Sequence, residues 1–161
     1  MFKLDELEDI VELECKKQNV DYVLAHAICS VESSWNTYAV RYEPNVEKYV
    51  HDTLIHAQNL NITELTEAML QRFSYGLFQV MGFLARDLGH RGLLTELLFP
   101  EICAKYGVLY IKKQLNRYGN EIDAIAAYNA GSARKMDSGL YINQRYCDRV
   151  YSYINNLRRL T

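Results

Sequence analysis

Only two prolines, Pro44 and Pro100, interrupt the 161 residues, and long stretches between them carry apolar side chains three and four apart. Side chains at that spacing share one face of an α-helix, whose interior excludes proline. The chain is therefore expected to be all-α, mainly helical. Its length is enough for one real core and short for two. Without internal repeats, low-complexity runs or a flexible linker, residues 1–161 read as a compact single domain with a cleft.

The punctuation of the chain places the helices. Leu4, Leu7 and Ile10 or Val11 outline a first amphipathic helix to about Lys17, and Asp21 is a good N-cap for a second that ends near Glu32 to Trp35. After Pro44, Asn45 is expected to cap a helix carrying Val46, Tyr49, Val50, Leu54 and Ala57. Asn61, with Glu64 three residues on, is expected to start another that reaches about Phe73. A long helix should run from Pro100 to Arg117 and stop at Gly119. Asn120 caps the next, which ends at Ala130-Gly131, and a last helix takes in Leu140 to Leu157. The stretch Ser74 to Gly82 differs: Gly76 allows an unusual turn, and the polar Gln79 interrupts an apolar run.

Composition removes several classes of function. A formal net charge of −2 argues against a general nucleic-acid binder. The acids Asp5, Glu6, Glu8, Asp9, Glu12 and Glu14 crowd the first helix, while Arg134, Lys135, Arg145, Arg149, Arg158 and Arg159 make the last segment basic. Solvated helix faces explain this better than an anionic wall or lipid surface. Cys15, Cys29, Cys103 and Cys147 lie among apolar neighbours at no metal-ligand spacing and read as reduced, buried small hydrophobes. His26, His51, His56 and His90 are scattered, and no glycine-rich phosphate loop occurs, so no metal and no cofactor is expected. The acidic N-terminus does not look like a signal peptide, and no run reaches transmembrane length. Synthesis in the cytoplasm is the expectation, with any action outside depending on another route of export or release.

Glu32 stands out chemically. It closes the run Ala25-His26-Ala27-Ile28-Cys29-Ser30-Val31-Glu32, stacking on a helix above Ile28 and Cys29 in line with Leu24, Ala25 and Ala27. A carboxyl against apolar neighbours loses hydration in its charged form, so its pKa should rise, as a general acid requires. A lone Glu near a helix end is more often just solvated, but further segments alter that balance.

After Glu32-Ser33-Ser34-Trp35-Asn36 come Ser74-Tyr75-Gly76-Leu77-Phe78-Gln79-Val80-Met81, then Ala126-Ala127-Tyr128-Asn129-Ala130-Gly131, then Tyr146-Cys147-Asp148-Arg149-Val150. In this order they resemble the catalytic domain of the soluble lytic transglycosylases, similar in fold to goose-type lysozyme, from about Asp21 to about Tyr153. The resemblance implies a lysozyme-like fold, α+β at most, and a substrate of peptidoglycan glycan strands. It also implies that Glu32 protonates the oxygen between N-acetylmuramic acid and N-acetylglucosamine. As carboxylate, Glu32 would then take the proton of the muramic 6-hydroxyl, leaving a 1,6-anhydro product. Gln79, Tyr128 and Asn129 map onto the sugar groove, and Tyr146 onto a phenol near the reacting sugar. Met81 is divided between groove wall and packing. As plain structure, Tyr128 and Tyr146 would be core aromatics and Gln79 a satisfied amide.

Two departures qualify the resemblance. Many members carry a serine where this chain has Arg41, and residues of about 43–72 look like an insertion that could wall the cleft. Glu43, just before Pro44, falls in an irregular turn that could fold back over the acid. There it would hold a water for hydrolysis, stabilise positive charge at the anomeric carbon, or merely pair with Arg41 or Lys48. The rivals to a lytic transglycosylase are thus a goose-lysozyme-type muramidase and a catalytically idle wall-binding or structural protein. The biology suggested is a monomeric phage endolysin released by a holin, with a bacterial or virion-borne enzyme as alternatives.

Overall fold

The computed structural model describes residues 2–159. The chain begins with α1 (Leu4–Gln18), which buries Leu7, Val11 and Cys15 and leaves Asp5, Glu6 and Asp9 in solvent. Helix α2 (Tyr22–Glu32) starts where the Asp21 side chain accepts the Val23 N–H and buries Leu24, Ala25, Ala27, Ile28 and Cys29. Three short strands follow: β1 (Val40–Tyr42), β2 (Phe73–Tyr75) and β3 (Val80–Met81). They form one antiparallel sheet in the order β1-β2-β3, with Arg41 opposite Ser74 and Ser74 opposite Met81. Between β1 and β2 lie a 3-10 turn (Pro44–Tyr49), α3 (Thr53–Leu60) and α4 (Glu64–Leu70).

The second half is helical: α5 (Gly82–Asp87), α6 (Pro100–Tyr118), α7 (Glu121–Ala130) and α8 (Gln144–Arg158), with a further 3-10 turn at Leu94–Leu98. Helix α6 carries the centre of the core, burying Cys103, Ala104, Tyr106, Val108, Tyr110 and Ile111, and it packs on α1 and α7 while α8 packs on α2. Gly119 and Gly131 end α6 and α7 in left-handed backbone, and the Asn120 side chain caps α7 at Asp123 N, 2.8 Å away. The mainly helical fold expected from the spacing is the one found, with the small sheet as its β component.

The turn from β2 to β3 rests on two glycines. Gly76 adopts φ +67°, and a Cβ there would lie 2.6 Å from the Leu97 carbonyl oxygen and 2.8 Å from Cys103 Sγ. Gly107 on α6 lets the Phe78 ring lie against the helix backbone, since a Cβ would meet Phe78 Cγ at 2.2 Å. Phe78 is fully buried as a result.

Three boundaries differ from those read in the sequence. The helix expected from Asn45 through Ala57 is broken at Val50–Asp52 into the 3-10 turn and α3, with Asp52 at φ +50°. The buried Gln71 causes the break by taking both backbone groups of His51: Oε1 accepts its N–H at 3.1 Å and Nε2 donates to its carbonyl at 2.8 Å. Asn61 does not start α4 but ends α3 at φ +53°, and Thr63 caps α4 by accepting the Thr66 N–H at 3.1 Å. Asn tolerates left-handed backbone, so one residue type serves at either end of a helix. Finally, α8 starts at Gln144 rather than Leu140, because Met136 N–H donates to the Leu140 carbonyl at 2.8 Å and Lys135 bridges Tyr141 in a tight loop.

The segment 43–72 is fastened to the rest by a buried ion pair. Arg86 on α5 donates Nε to Glu67 Oε1 at 2.8 Å and Nη2 to Glu67 Oε2 at 2.9 Å. Its Nη1 reaches the His90 and Gly92 carbonyls at 2.9 and 2.8 Å, and Gln71 Nε2 gives Glu67 another bond at 3.0 Å. Neither charged side chain touches solvent. Hydrogen-bonded at each oxygen, the pair avoids the penalty of an unpartnered buried charge.

Candidate active site

Glu32 is the last residue of α2, and the backbone turns sharply there, with Ser34 and Trp35 at φ +52° and +64°. Ser33 Oγ donates to the Leu77 carbonyl at 2.8 Å, which ties the helix end to the β2–β3 turn. Trp35 Nε1 donates to Ser30 Oγ at 3.0 Å and its ring lies 4.8 Å from that of His26, which fixes the outgoing chain. The helix end thus presents the Glu32 side chain to a cleft of about 410 Å³.

That cleft gathers most of the residues singled out in the sequence. Glu32, Glu43, Gln79, Met81, Tyr128 and Asn129 all line it, and Tyr146, on α8 and not itself among the lining residues, donates its hydroxyl to Glu32 Oε1 at 2.8 Å. Burial pushes the Glu32 carboxyl above its ordinary pKa, opposed by the Tyr146 hydrogen bond and the charges of Arg41 and Arg149, while Glu43 adds to the rise. Burial and the facing carboxylate push Tyr146 well above the usual phenol range, so it stays a donor. Arg149 donates to the Val31 carbonyl at 3.3 Å, putting a positive charge beside the end of α2.

The other residues hold the walls in distinct ways. Gln79 adopts φ +47°, and its amide is used by its own loop: Oε1 accepts from Ser74 Oγ at 2.9 Å, and Nε2 donates to the Ala39 and Gly76 carbonyls at 3.2 and 3.0 Å. The satisfied-amide alternative describes its contacts. Tyr128 donates its hydroxyl to the Phe78 carbonyl at 2.8 Å and packs its ring 5.1 Å from Tyr110, so it joins α7 to the β2–β3 turn and lines the cleft while staying largely buried. Asn129 is exposed, with Oδ1 accepting from Asn143 Nδ2 at 3.0 Å. Met81 lies half-buried in the wall at the start of α5. Below the turn, Cys103 Sγ lies 3.5 Å from both Phe78 N and Tyr75 O, and burial pushes its thiol up to about 12.

Glu43 faces the cleft from the turn after β1, where its backbone N–H donates to the Arg72 carbonyl at 2.9 Å, and its carboxylate accepts from Arg41 Nε. Of the alternatives weighed for it, the ion pair with Arg41 forms, and the same residue still lines the cleft. Sequence reasoning missed Tyr49 and Phe83, whose rings stack at 5.1 Å with 22° between planes and join Val46 and Leu84 on the wall. Phe83 follows Gly82 in plain view, but Tyr49 reaches the wall only because the expected helix breaks after it. The histidines do not gather: His26, His51 and His90 each lie near one acid, Glu8, Asp87 and Glu96.

No match is found among curated proteins. Residues 9–145, most of the chain and all the residues that line the cleft but ending one short of Tyr146, match the family described as Transglycosylase SLT domain, and the protein belongs to that family.

Proposed function

We propose that the protein is a lytic transglycosylase that cleaves the β-1,4 bond between N-acetylmuramic acid and N-acetylglucosamine in peptidoglycan, leaving a 1,6-anhydro-muramic end. Membership of the Transglycosylase SLT domain family supports peptidoglycan lytic transglycosylase activity in general, and therefore action at the cell wall. Among the described residues no helix is long and apolar enough to cross a membrane. The observation that carries the finer reading is Glu32 itself, a carboxyl pushed toward its protonated form at the end of α2, with Tyr146 on one oxygen and the cleft before it.

In the first step Glu32 gives its proton to the glycosidic oxygen as the bond to the muramic anomeric carbon breaks. Tyr146 holds Oε1, which orients the carboxyl and leaves Oε2 for proton transfer. The Glu32 carboxylate then removes the proton of the 6-hydroxyl, whose oxygen bonds to the anomeric carbon. The proton returns to Glu32 and no water is consumed. Asn129, exposed on the wall, is placed to donate its amide to the sugar, while Gln79 and Tyr128 keep the β2–β3 turn in shape.

Glu43 favours a second reading, because it is another carboxyl on the same cleft and two carboxyls serve hydrolytic glycosidases. Mass spectrometry of the fragments released from purified wall separates the two. Anhydro ends are expected; reducing ends as the main product would make the enzyme a muramidase with Glu32 still its acid. A wall suspension whose turbidity does not fall would leave only a binding protein.

A further inference from the structure

Three charged residues line the cleft: Glu32, Arg41 and Glu43. Arg41 comes from β1, held by the register that sets it opposite Ser74, and its side chain is 71% exposed. Glu43 is less free. Its own N–H is tied to the Arg72 carbonyl, and Arg72 Nη2 donates to the Pro44 carbonyl at 3.0 Å, so the turn that carries it is anchored to the residue just before the neighbouring strand β2. From this anchored position its carboxylate takes the Arg41 Nε–H.

We infer that Glu43 is a positioning residue that guards the acid: by holding the Arg41 guanidinium it keeps that cation from pairing with Glu32. The inference rests on Glu32 as the proton donor. An arginine free in the cleft and a carboxyl that must stay protonated are incompatible, because an opposite charge within reach favours the ionised acid. With one cation and two carboxyls among the lining residues, the carboxyl fixed by its turn takes the cation, and Glu32, which burial already favours as the acid, keeps its proton.

The other groups facing Glu32 do not replace this arrangement. Cys29 lies beneath it on α2, Tyr128 faces it from α7, and Tyr146 and Arg149 face it from α8. The two tyrosines and the cysteine are neutral, their ionisation pushed well up by burial. Arg149 is engaged with the Val31 carbonyl. Arg41 is therefore the mobile charge, and Glu43 its restraint. The same contact accounts for an arginine at a position where the family resemblance led to a serine: Arg41 brings its own counter-ion two residues on.

A double-variant cycle tests this, using Glu43→Gln, Arg41→Gln and the pair together, with fold checked by circular dichroism. Each is read twice, by the pH profile of wall cleavage and by NMR titration of Glu32. In Glu43→Gln both the Glu32 titration and the alkaline limb should move to lower pH, with the rate at neutral pH falling on the order of tenfold for each unit of movement. Arg41→Gln should move both the other way. The pair should recover most of the lost rate and return the titration to near the wild-type position. If the pair stays as slow as Glu43→Gln while Glu32 titrates unchanged, Glu43 acts on substrate or water and the guard role is wrong. The titration reads the guard role even if Glu32→Gln remains active, a result that would instead overturn Glu32 as the acid.

Discussion

Glu67 and Glu32 are both withdrawn from solvent, yet they end in opposite states. Burial alone would raise the pKa of each. At Glu67 that is overcome by hydrogen bonds from Arg86 and Gln71 and by the Arg86 charge, so the carboxyl is held below its ordinary range. At Glu32 burial prevails, because one phenol donates to it while the Arg41 guanidinium is bonded to Glu43 and that of Arg149 to the Val31 carbonyl. The difference lies less in depth than in the supply of donors. A carboxyl surrounded by donors is a fastening, and one left short of them is a proton source.

Removing the fastening should have the largest effect. Glu67→Ala leaves the Arg86 guanidinium buried without its partner, a loss of about 3–5 kcal/mol, and segment 43–72 should loosen first. Urea unfolding would measure the loss, and hydrogen exchange in α4 and α5 would locate it. A change below about 1 kcal/mol would mean that the pair behaves as a surface bridge and the comparison fails. The depressed pKa of Glu67 adds a sign: its contribution is present above the unfolded value and is lost as pH falls through the folded one.

Next in size is Glu32→Gln, which keeps an acceptor for Tyr146 but has no acidic proton. Turnover should drop by about 10²-fold or more, near 2.7 kcal/mol in barrier, with binding to the wall retained in a pull-down. Because the folded pKa of Glu32 is raised, its contribution to stability is full at acid pH and is lost as pH rises through that pKa. The same variant should therefore melt a little higher than wild type at neutral pH and not at pH 4, which calorimetry would detect.

Tyr146→Phe should be milder. It removes one hydrogen bond, worth about 1 kcal/mol, and since that bond lowers the Glu32 pKa, the alkaline limb should move up while the rate falls. A limb that stays in place would show that Tyr146 acts on the sugar rather than on Glu32.

The features that can be read locally were legible in the sequence. The caps at Asp21 and Asn120, the stops at Gly119 and Gly131 and the apolar face beneath Glu32 each depend on residues within a turn or so of one another. The sheet was not, because strands of two or three residues are too short to show alternation. Nor was the break after Tyr49, which Gln71 imposes from twenty residues away. The same holds at the site. Glu32 and the groove residues were named from motifs, but whether a side chain faces sugar or its own loop, as with the Gln79 amide, depends on contacts to Ala39 and Ser74 that no spacing reveals.

The comparison turns on Glu32 keeping its proton at a pH where Glu67 has lost it. Labelling glutamate side chains with carbon-13 and following the Glu32 carboxyl through pH, beside the alkaline limb of wall cleavage in the same buffer, measures this directly. The two midpoints should coincide and lie above the ordinary glutamate value of about 4.3. A Glu32 midpoint at or below that value, or a limb that does not follow it, would contradict the role of Glu32 as the proton source.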